Sequence, residues 1–261
     1  MVKVGALPKW GQTASSRPAF PIVGTHTLIS TILDVCVCTK TLIYVSSSLT
    51  QGLSKRWIVV EEARKRIAEL DERIKTSMSK IKHKLLVLSG KGGVGKSTVT
   101  VNLAVALAMR GRAQMVGVLD ADITGPSIPK MMGVRHEQLD VSAGAIVPVT
   151  AALGIKVVSM DFLLYSDEMA VIWRGPLKSM AIKQFLGEVQ WGELEYLLID
   201  LPPGTGDEAL TIAQSIPKID GAVIVTIPSE VSQLVVKKTV TVARHLNIPV
   251  VGIVENMSRF V

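Results

Sequence analysis

Short apolar segments rich in β-branched residues recur from residue 84 to the end of the chain, separated by segments with helical composition. They are Leu85–Leu88, Val116–Leu119, Ile155–Ser159, Leu197–Ile199, Ala222–Ile227 and Val250–Val254. Continuous apolar runs of this length are typical of strands buried on both faces, and strands that alternate with helices form parallel βαβ units. The pattern therefore predicts an α/β fold with a doubly wound, mostly parallel sheet.

Helices are expected in the segments between these strands. The segments are Lys96–Met109, which Gly111 would end, then Pro176–Val189, Asp207–Ile216 and Val231–His245. In sheets of this kind, ligands bind at the carboxyl ends of the strands. Polar residues that directly follow a strand are therefore the first candidates for a functional site.

The segment before the sheet has two parts. Residues 1–57 show neither a sustained helical period nor paired strands, so they are an unassigned extension that we expect to be poorly ordered. Residues 58–82 are expected to form an amphipathic helix that docks on the domain comprising 83–261. The helical stripe, running from about Glu61 to Lys82, is Ala63, Ile67, Leu70, Ile74, Met78 and Ile81.

Charge is distributed unevenly along the 261 residues. The formal net charge of +7 is carried by residues 1–82, and the remainder of the chain is neutral. Aromatic residues make up only 4% of the chain, which leaves few platforms for stacking bases. The longest uncharged stretch, Pro18–Leu33, is interrupted by proline and glycine before it reaches the roughly 18 apolar residues of a membrane span. We therefore expect neither a nucleic-acid nor a membrane partner.

The two cysteines, Cys36 and Cys38, lie one residue apart, which excludes a disulfide-stapled secreted scaffold. We expect a reducing compartment and a cytoplasmic location. The alternative is an organelle, with residues 1–57 as its leader. The extension has basic residues and no acid in its first 33 positions, but no amphipathic arginine-rich helix is evident.

A glycine-rich loop follows the first predicted strand and opens a helix. It comprises Gly90, Lys91, Gly92, Gly93, Val94, Gly95, Lys96, Ser97 and Thr98, which fits the phosphate-binding loop at every fixed position. Glycines let backbone N–H groups close around phosphate oxygens, Lys96 would neutralise the β- and γ-phosphates, and Ser97 offers a hydroxyl to Mg²⁺.

The same loop also contains a dinucleotide fingerprint, Gly90-x-Gly92-x-x-Gly95, for which Asp120 could be the ribose ligand. A dinucleotide-binding turn does not require Lys-Ser-Thr directly after its last glycine, and it does not account for the further acidic loops of this chain. The phosphate-binding interpretation is therefore preferred.

Three aspartates follow predicted strands. Asp200 ends an apolar strand, as an acid must if it is to hold a water on Mg²⁺ opposite the phosphates. Asp122 lies two residues past another strand and is the candidate for orienting the attacking water. Asp120 is expected to support the magnesium shell.

Lys91 is the second lysine of the loop, and together with Lys96 it resembles the deviant loop of the MinD/ParA, nitrogenase-iron-protein and Mrp/ApbC ATPases. The Mrp/ApbC branch is indicated by Asp120-Ala-Asp-Ile-x-Gly-Pro-Ser127, Leu198-Ile-Asp-Leu-Pro-Pro-Gly-Thr-Gly-Asp207, Trp173-Arg-Gly-Pro176, Trp191-Gly-Glu-Leu194 and Glu255-Asn-Met-Ser258. The resemblance covers about residues 60–261. It implies a slow ATPase whose homodimer encloses the nucleotide, with Lys91 reaching the partner's phosphates and Asn256 hydrogen-bonding adenine.

The resemblance further implies a carrier or scaffold that delivers iron–sulfur clusters to apoproteins and holds a bridging [4Fe–4S] cluster with a Cys-x-x-Cys pair from each subunit. That pair is absent from this sequence, so we expect a domain truncated at its C-terminal end and little stable cluster on these residues. The spacing of Cys36 and Cys38 does not match the pair. The alternatives are a MinD/ParA-like positioning ATPase and a nucleotide-binding member without cluster chemistry.

Overall fold

A computed structural model describes residues 64–122, 125–142, 145–163, 175–204 and 206–258. The expectations for residues 1–57, for Cys36 and Cys38, and for Trp173 and Arg174 fall outside these ranges.

In the described ranges, α-helices alternate with strands except in one region, where several strands follow one another. The helices are α1 (64–79), α2 (Lys96–Leu107), α3 (Ile128–Met131), α4 (Gly175–Gly187), α5 (Asp207–Ser215) and α6 (Glu230–His245). The strands are β1 (Ile81–Ser89), β2 (Val116–Asp120), β3 (Asp140–Ser142), β4 (Ala145–Val147), β5 (Val149–Thr150), β6 (Lys156–Ser159), β7 (Leu194–Asp200), β8 (Gly221–Thr226) and β9 (Val250–Glu255).

The main sheet has the strand order β5-β6-β2-β7-β1-β8-β9. All of its pairings are parallel except the one between β5 and β6, so the expected doubly wound, mostly parallel sheet is confirmed. Strand β2 is fully buried, as its continuous apolar sequence predicts. The β3–β4 hairpin forms a separate two-stranded sheet that the sequence did not predict.

Several helix ends differ from the predicted bounds by one to three residues. The helix expected to extend to Lys82 ends at residue 79, because Ile81 already belongs to β1, where it pairs with Leu194. Helix α2 ends at Leu107 and continues as a π-helical segment, Ala108–Arg112, in which Gly111 has a φ of +85°. Within the described ranges, no helix combines the length and the apolar character that a bilayer span requires.

Lys84 joins α1 to the sheet from a buried position. Its Nζ donates to the carbonyl of Met78 in α1 at 3.5 Å and to that of Ile81 at 2.8 Å, and lies 3.8 Å from the Asp220 carboxylate. Burial alone would raise the pKa of Asp220, but hydrogen bonds from the Lys84 N–H and from Lys218 and the charges of both lysines hold that pKa below its ordinary value. This ion pair is satisfied on both sides, as a buried charge requires.

Helix α1 contributes part of its stripe to the core. Leu70, Ile74 and Met78 are buried, whereas Ile67 remains 46% exposed, contrary to the uniform stripe expected from periodicity. A Cβ atom added at Gly187 would lie 3.0 Å from Ile74 Cγ1, which shows how closely α1 approaches the end of α4.

The difference in burial between Ile74 and Ile67 predicts that truncating these two side chains of α1 lowers stability by unequal amounts. Ile74→Ala should lower the free energy of unfolding by about 2–4 kcal/mol, because it leaves a cavity in a closely packed interface. Ile67→Ala should cost less than about 1 kcal/mol, because the side chain is already half in solvent. Urea unfolding of both variants measures the difference, and equal losses would contradict the packing of α1.

Candidate nucleotide-binding site

The predicted site residues meet at the carboxyl edge of the sheet. Asp120 and Asp200 end the neighbouring strands β2 and β7 and lie opposite each other in the pairing register. Strand β1 lies on the other side of β7 and ends at Ser89, directly before the glycine-rich loop. The topology therefore brings together three segments that are far apart in the sequence.

The loop itself turns sharply into α2. Gly93 and Gly95 have φ values of +76° and +81°, which are left-handed conformations that favour glycine. Gly95 caps α2, and its carbonyl accepts from the N–H of Val99 at 2.9 Å. Val94 turns inward and packs against Val87 and Val225. The loop is thus anchored by one apolar side chain, and the first N–H groups of α2 form an anion-binding end.

Lys96 and Asp200 form a buried ion pair beneath this loop. Lys96 Nζ lies 2.5 Å from Asp200 Oδ2, and both side chains are almost fully enclosed. The Ser97 hydroxyl donates to Asp200 Oδ2 at 2.6 Å, and the Thr100 hydroxyl donates to Oδ1 at 2.6 Å. Because both carboxylate oxygens accept hydrogen bonds, the buried charge is compensated.

Asp120 lies beside this ion pair and is also buried. Burial, followed by the nearby charge of Asp200, raises the pKa of Asp120 to about 7, against the opposing effects of Lys96 and of the N–H groups of Asp122 and Ile128. Its Oδ2 accepts from the Ser159 hydroxyl at 3.2 Å. Burial and the neighbouring carboxylate therefore favour the protonated form of Asp120 more than in an exposed aspartate.

A cavity of about 350 Å³ opens above these groups. It is lined by Ser89, Lys91, Gly92, Gly93, Val94, Gly95, Lys96, Ser97, Thr98, Asp122, Ser127, Met131 and Pro203. Lys91 and Asp122 thus face the same space as the loop residues, which are the ones predicted to hold phosphates. A cavity of this size, lined by cations and backbone N–H groups, suits a polyphosphate.

Asn256 lies behind the loop, against its backbone. Its Nδ2 donates to the carbonyl of Val94 at 3.0 Å. The residue was predicted as an adenine contact, and that role stays a prediction. The contact with Val94 was not predicted, because nothing in the local pattern relates positions 94 and 256.

Several other residues of the site were not predicted from the sequence. Thr100 could have been found, because it lies one helical turn after Lys96 and so shares its face of α2. The cavity is also lined by Ser127 and Met131, from the N-cap and the last residue of the short helix α3, and by Pro203, from a loop. No periodicity in the sequence fixes the course of these segments. Ser89 has a buried hydroxyl without a hydrogen-bond partner among the described residues.

The oxygen ligands present fit a small, hard cation. Mg²⁺ prefers hydroxyl, carboxylate and phosphate oxygens, and Ser97, Asp120 and Asp200 supply the first two kinds. Ser97 lines the cavity, whereas the two aspartates lie buried beside it. Within the described ranges, no three His, Cys, Asp or Glu side chains gather into a metal cluster. Magnesium in such a site depends on substrate phosphates and water for its remaining ligands.

A sequence-family model described as an iron-transfer P-loop NTPase, NUBPL, within the ParA group, matches residues 80–261. The chain belongs to this family. The match includes the loop, both strand-end aspartates and Asn256. Membership of the P-loop NTPases agrees with the observed position of the loop between a buried strand and a helix.

Relatives of this P-loop NTPase include the iron-sulfur cluster carrier protein of Methanocaldococcus jannaschii, 60% identical over 77% of this chain and 68% of that protein. A solved structure, the nucleotide-binding protein of Archaeoglobus fulgidus in complex with ADP, is 50% identical, with a TM-score of 0.63 over 73% of this chain and 72% of that one. The septum site-determining protein MinD of Pyrococcus horikoshii, complexed with Mg-ADP, is 23% identical, covers 67% and 70% of the two chains, and has a TM-score of 0.50. This last likeness concerns the fold alone.

Proposed function

We propose that this P-loop NTPase binds ATP with Mg²⁺, hydrolyses it slowly as a homodimer, and carries iron–sulfur clusters to apoproteins in the cytoplasm. The observation that carries the nucleotide part is the buried Lys96–Asp200 pair beneath a glycine loop, together with a cavity that Lys96 lines along with Lys91 and Asp122. The carrier part is supported by the family and by the name of the Methanocaldococcus jannaschii relative.

Each residue has a distinct part in the proposed reaction. Backbone N–H groups of the loop and of the first turn of α2 bind phosphate oxygens, and Lys96 offsets their charge. Ser97, Asp120 and Asp200 would hold Mg²⁺ directly or through water. The cation would supply additional charge stabilisation at the transferring phosphate.

Asp122 is proposed to orient the attacking water, because it lines the same cavity as the loop. The described side chains offer positioned charge rather than a nucleophile that attacks covalently. Catalysis would then rest on positioning and electrostatic stabilisation, which agrees with a low rate in the absence of a partner subunit.

Lys91 is proposed to act on the nucleotide of the partner subunit. The loop already has Lys96 for its own phosphates, and Lys91 lies at the rim of the cavity, partly exposed. A cation supplied by a partner is a known means of stabilising charge in phosphoryl transfer. Hydrolysis should accordingly depend on the concentration of protein.

The cluster would be cargo, and its ligands do not lie in the described part of the chain. A [4Fe–4S] cluster is held by four ligands, normally thiolates. The two cysteines of this sequence, Cys36 and Cys38, both fall outside the described ranges. The residues that the structure describes therefore do not fit a cluster, and the proposed reaction assigns them no step in its transfer.

Substitution of Lys91 tests the proposed dimeric ATPase. We expect Lys91→Ala to lower the hydrolysis rate by at least about tenfold, because the partner's transition state loses a cation, while ADP affinity stays within about twofold. Lys130→Ala is the control, because it removes the same charge from an exposed position on α3 beside the cavity. Phosphate release measured across a range of protein concentrations gives the result. Full activity of Lys91→Ala, with its concentration dependence intact, would contradict the role in trans.

A further inference from the structure

Asn256 is fixed in the structure by its own backbone. Its N–H donates to the carbonyl of Thr226 at 2.8 Å, which extends the pairing of β9 with β8 by one residue beyond the Thr226–Glu255 pair. The backbone of Asn256 is therefore hydrogen-bonded to the sheet, which fixes the position from which its side chain extends.

The side chain of Asn256 contacts the phosphate-binding loop closely. Its Nδ2 donates to the Val94 carbonyl, and a Cβ atom added at Gly95 would lie 2.3 Å from the same nitrogen. Val94 is also held by the core, because its side chain is buried against Val87 and Val225. The Val94–Gly95 peptide is thus enclosed between the core and the amide of Asn256.

The orientation of this peptide matters for an anion. A trans peptide is planar, and its C=O and N–H groups point in opposite directions. When Asn256 fixes the Val94 carbonyl, it also directs the N–H of Gly95 away from the Asn256 amide. Gly95 caps α2 and lines the cavity. Its N–H group belongs to the set that would bind phosphate oxygens.

We propose that Asn256 is a positioning residue for the phosphate-binding loop, one that acts on the phosphates of any nucleotide and not only on the base. This inference rests on the proposed nucleotide-binding function. It differs from the adenine contact predicted for the same side chain, because a base contact would change selectivity between nucleotides, whereas a loop contact changes affinity for all polyphosphates.

Binding of three ligands to the full chain separates the two roles. ADP, GDP and inorganic tripolyphosphate are titrated calorimetrically, each with Mg²⁺, into the wild type, Asn256→Ala and Asn256→Asp. We expect Asn256→Ala to weaken all three ligands by a similar factor of about ten, because one hydrogen bond that orders the loop is lost. Asn256→Asp keeps the shape of the side chain but replaces the donor with a carboxylate oxygen facing the carbonyl, and we expect a larger common loss.

Asn102→Ala is the matched control. The Asn102 amide also donates to a backbone carbonyl, that of Thr98 at 2.8 Å, but it lies on the exposed face of α2. We expect its affinities to stay within about twofold of the wild type. Thermal unfolding of each variant shows whether a lost affinity reflects lost folding.

Several outcomes would overturn the proposal. A loss confined to ADP, with tripolyphosphate binding unchanged, would make Asn256 a base contact alone. Unchanged affinity for all three ligands in both Asn256 variants would also defeat it. If the wild type bound none of the ligands, the proposed nucleotide-binding function would fail first, and this inference would fail with it.

Discussion

Lys96→Ala is expected to abolish measurable ADP binding, with a loss of affinity of about a hundredfold or more. The residue follows the last glycine of the loop and carries the buried cation nearest the first turn of α2. Removing it takes away the lysine charge that lies closest to both the phosphates and the carboxylate of Asp200. The phosphates lose a charged hydrogen bond from Lys96, and the repulsion between them and Asp200 increases. Together these two changes should lower the affinity more than the loss of a neutral hydrogen bond would. Isothermal titration of ADP with Mg²⁺ measures the change.

The same substitution should also lower stability, so binding and folding must be measured separately. Loss of the pairing cation leaves Asp200 buried beside Asp120, which we expect to lower the melting temperature by several degrees. Lys91→Ala is the control within the loop, because Lys91 is partly exposed and should retain ADP binding. ADP affinity close to that of the wild type in a folded Lys96→Ala variant would contradict the phosphate-binding role of this lysine.

Much of the fold could be predicted because its elements are specified by local patterns. Each of the six apolar runs became a strand with parallel pairings, and five of these strands are largely buried, as a continuous apolar sequence predicts. The run Val250–Val254 was wrongly expected to be buried on both faces: β9 lies at the edge of the sheet, and its Val251 and Ile253 side chains are more than half exposed. The glycine loop could also be predicted from the sequence, because binding a phosphate requires glycines or a lysine at particular positions of the loop. The ends of β2 and β7 then placed Asp120 and Asp200 side by side.

The parts that escaped prediction depend on contacts between distant residues. Ile81 has the spacing of a helical residue, yet its pairing with Leu194 assigns it to β1. Ile67 fits the apolar stripe of α1 but has no neighbouring element among the described residues to cover it, and it remains exposed. Asn256 reaches Val94 across 162 positions of sequence. No local periodicity carries such information, because tertiary contacts decide it.

The Lys96–Asp200 pair should also show strong energetic coupling. We expect Asp200→Ala to lower the free energy of unfolding by about 3–5 kcal/mol, because Lys96 is left buried without its carboxylate and the Ser97 and Thr100 hydroxyls lose their acceptor. Lys96→Ala leaves the opposite charge unpaired. The double variant removes both charges, so its loss should be smaller than the sum of the two single losses by about 2–3 kcal/mol. Urea unfolding of the four proteins without nucleotide measures this coupling.

An exposed ion pair on α1 is the control that shows how much of the coupling energy depends on burial. Lys75 and Glu72 lie 2.6 Å apart on α1, nearly the same separation as Lys96 and Asp200, but their side chains are 58% and 71% exposed. Solvent screens such a pair, and the cycle made from Lys75→Ala and Glu72→Ala should show no coupling beyond experimental error. Additive losses in the buried cycle as well would mean that Lys96 and Asp200 do not interact in solution. Strong coupling confined to the buried pair would show that the loop lysine is held in place by Asp200 before any phosphate arrives.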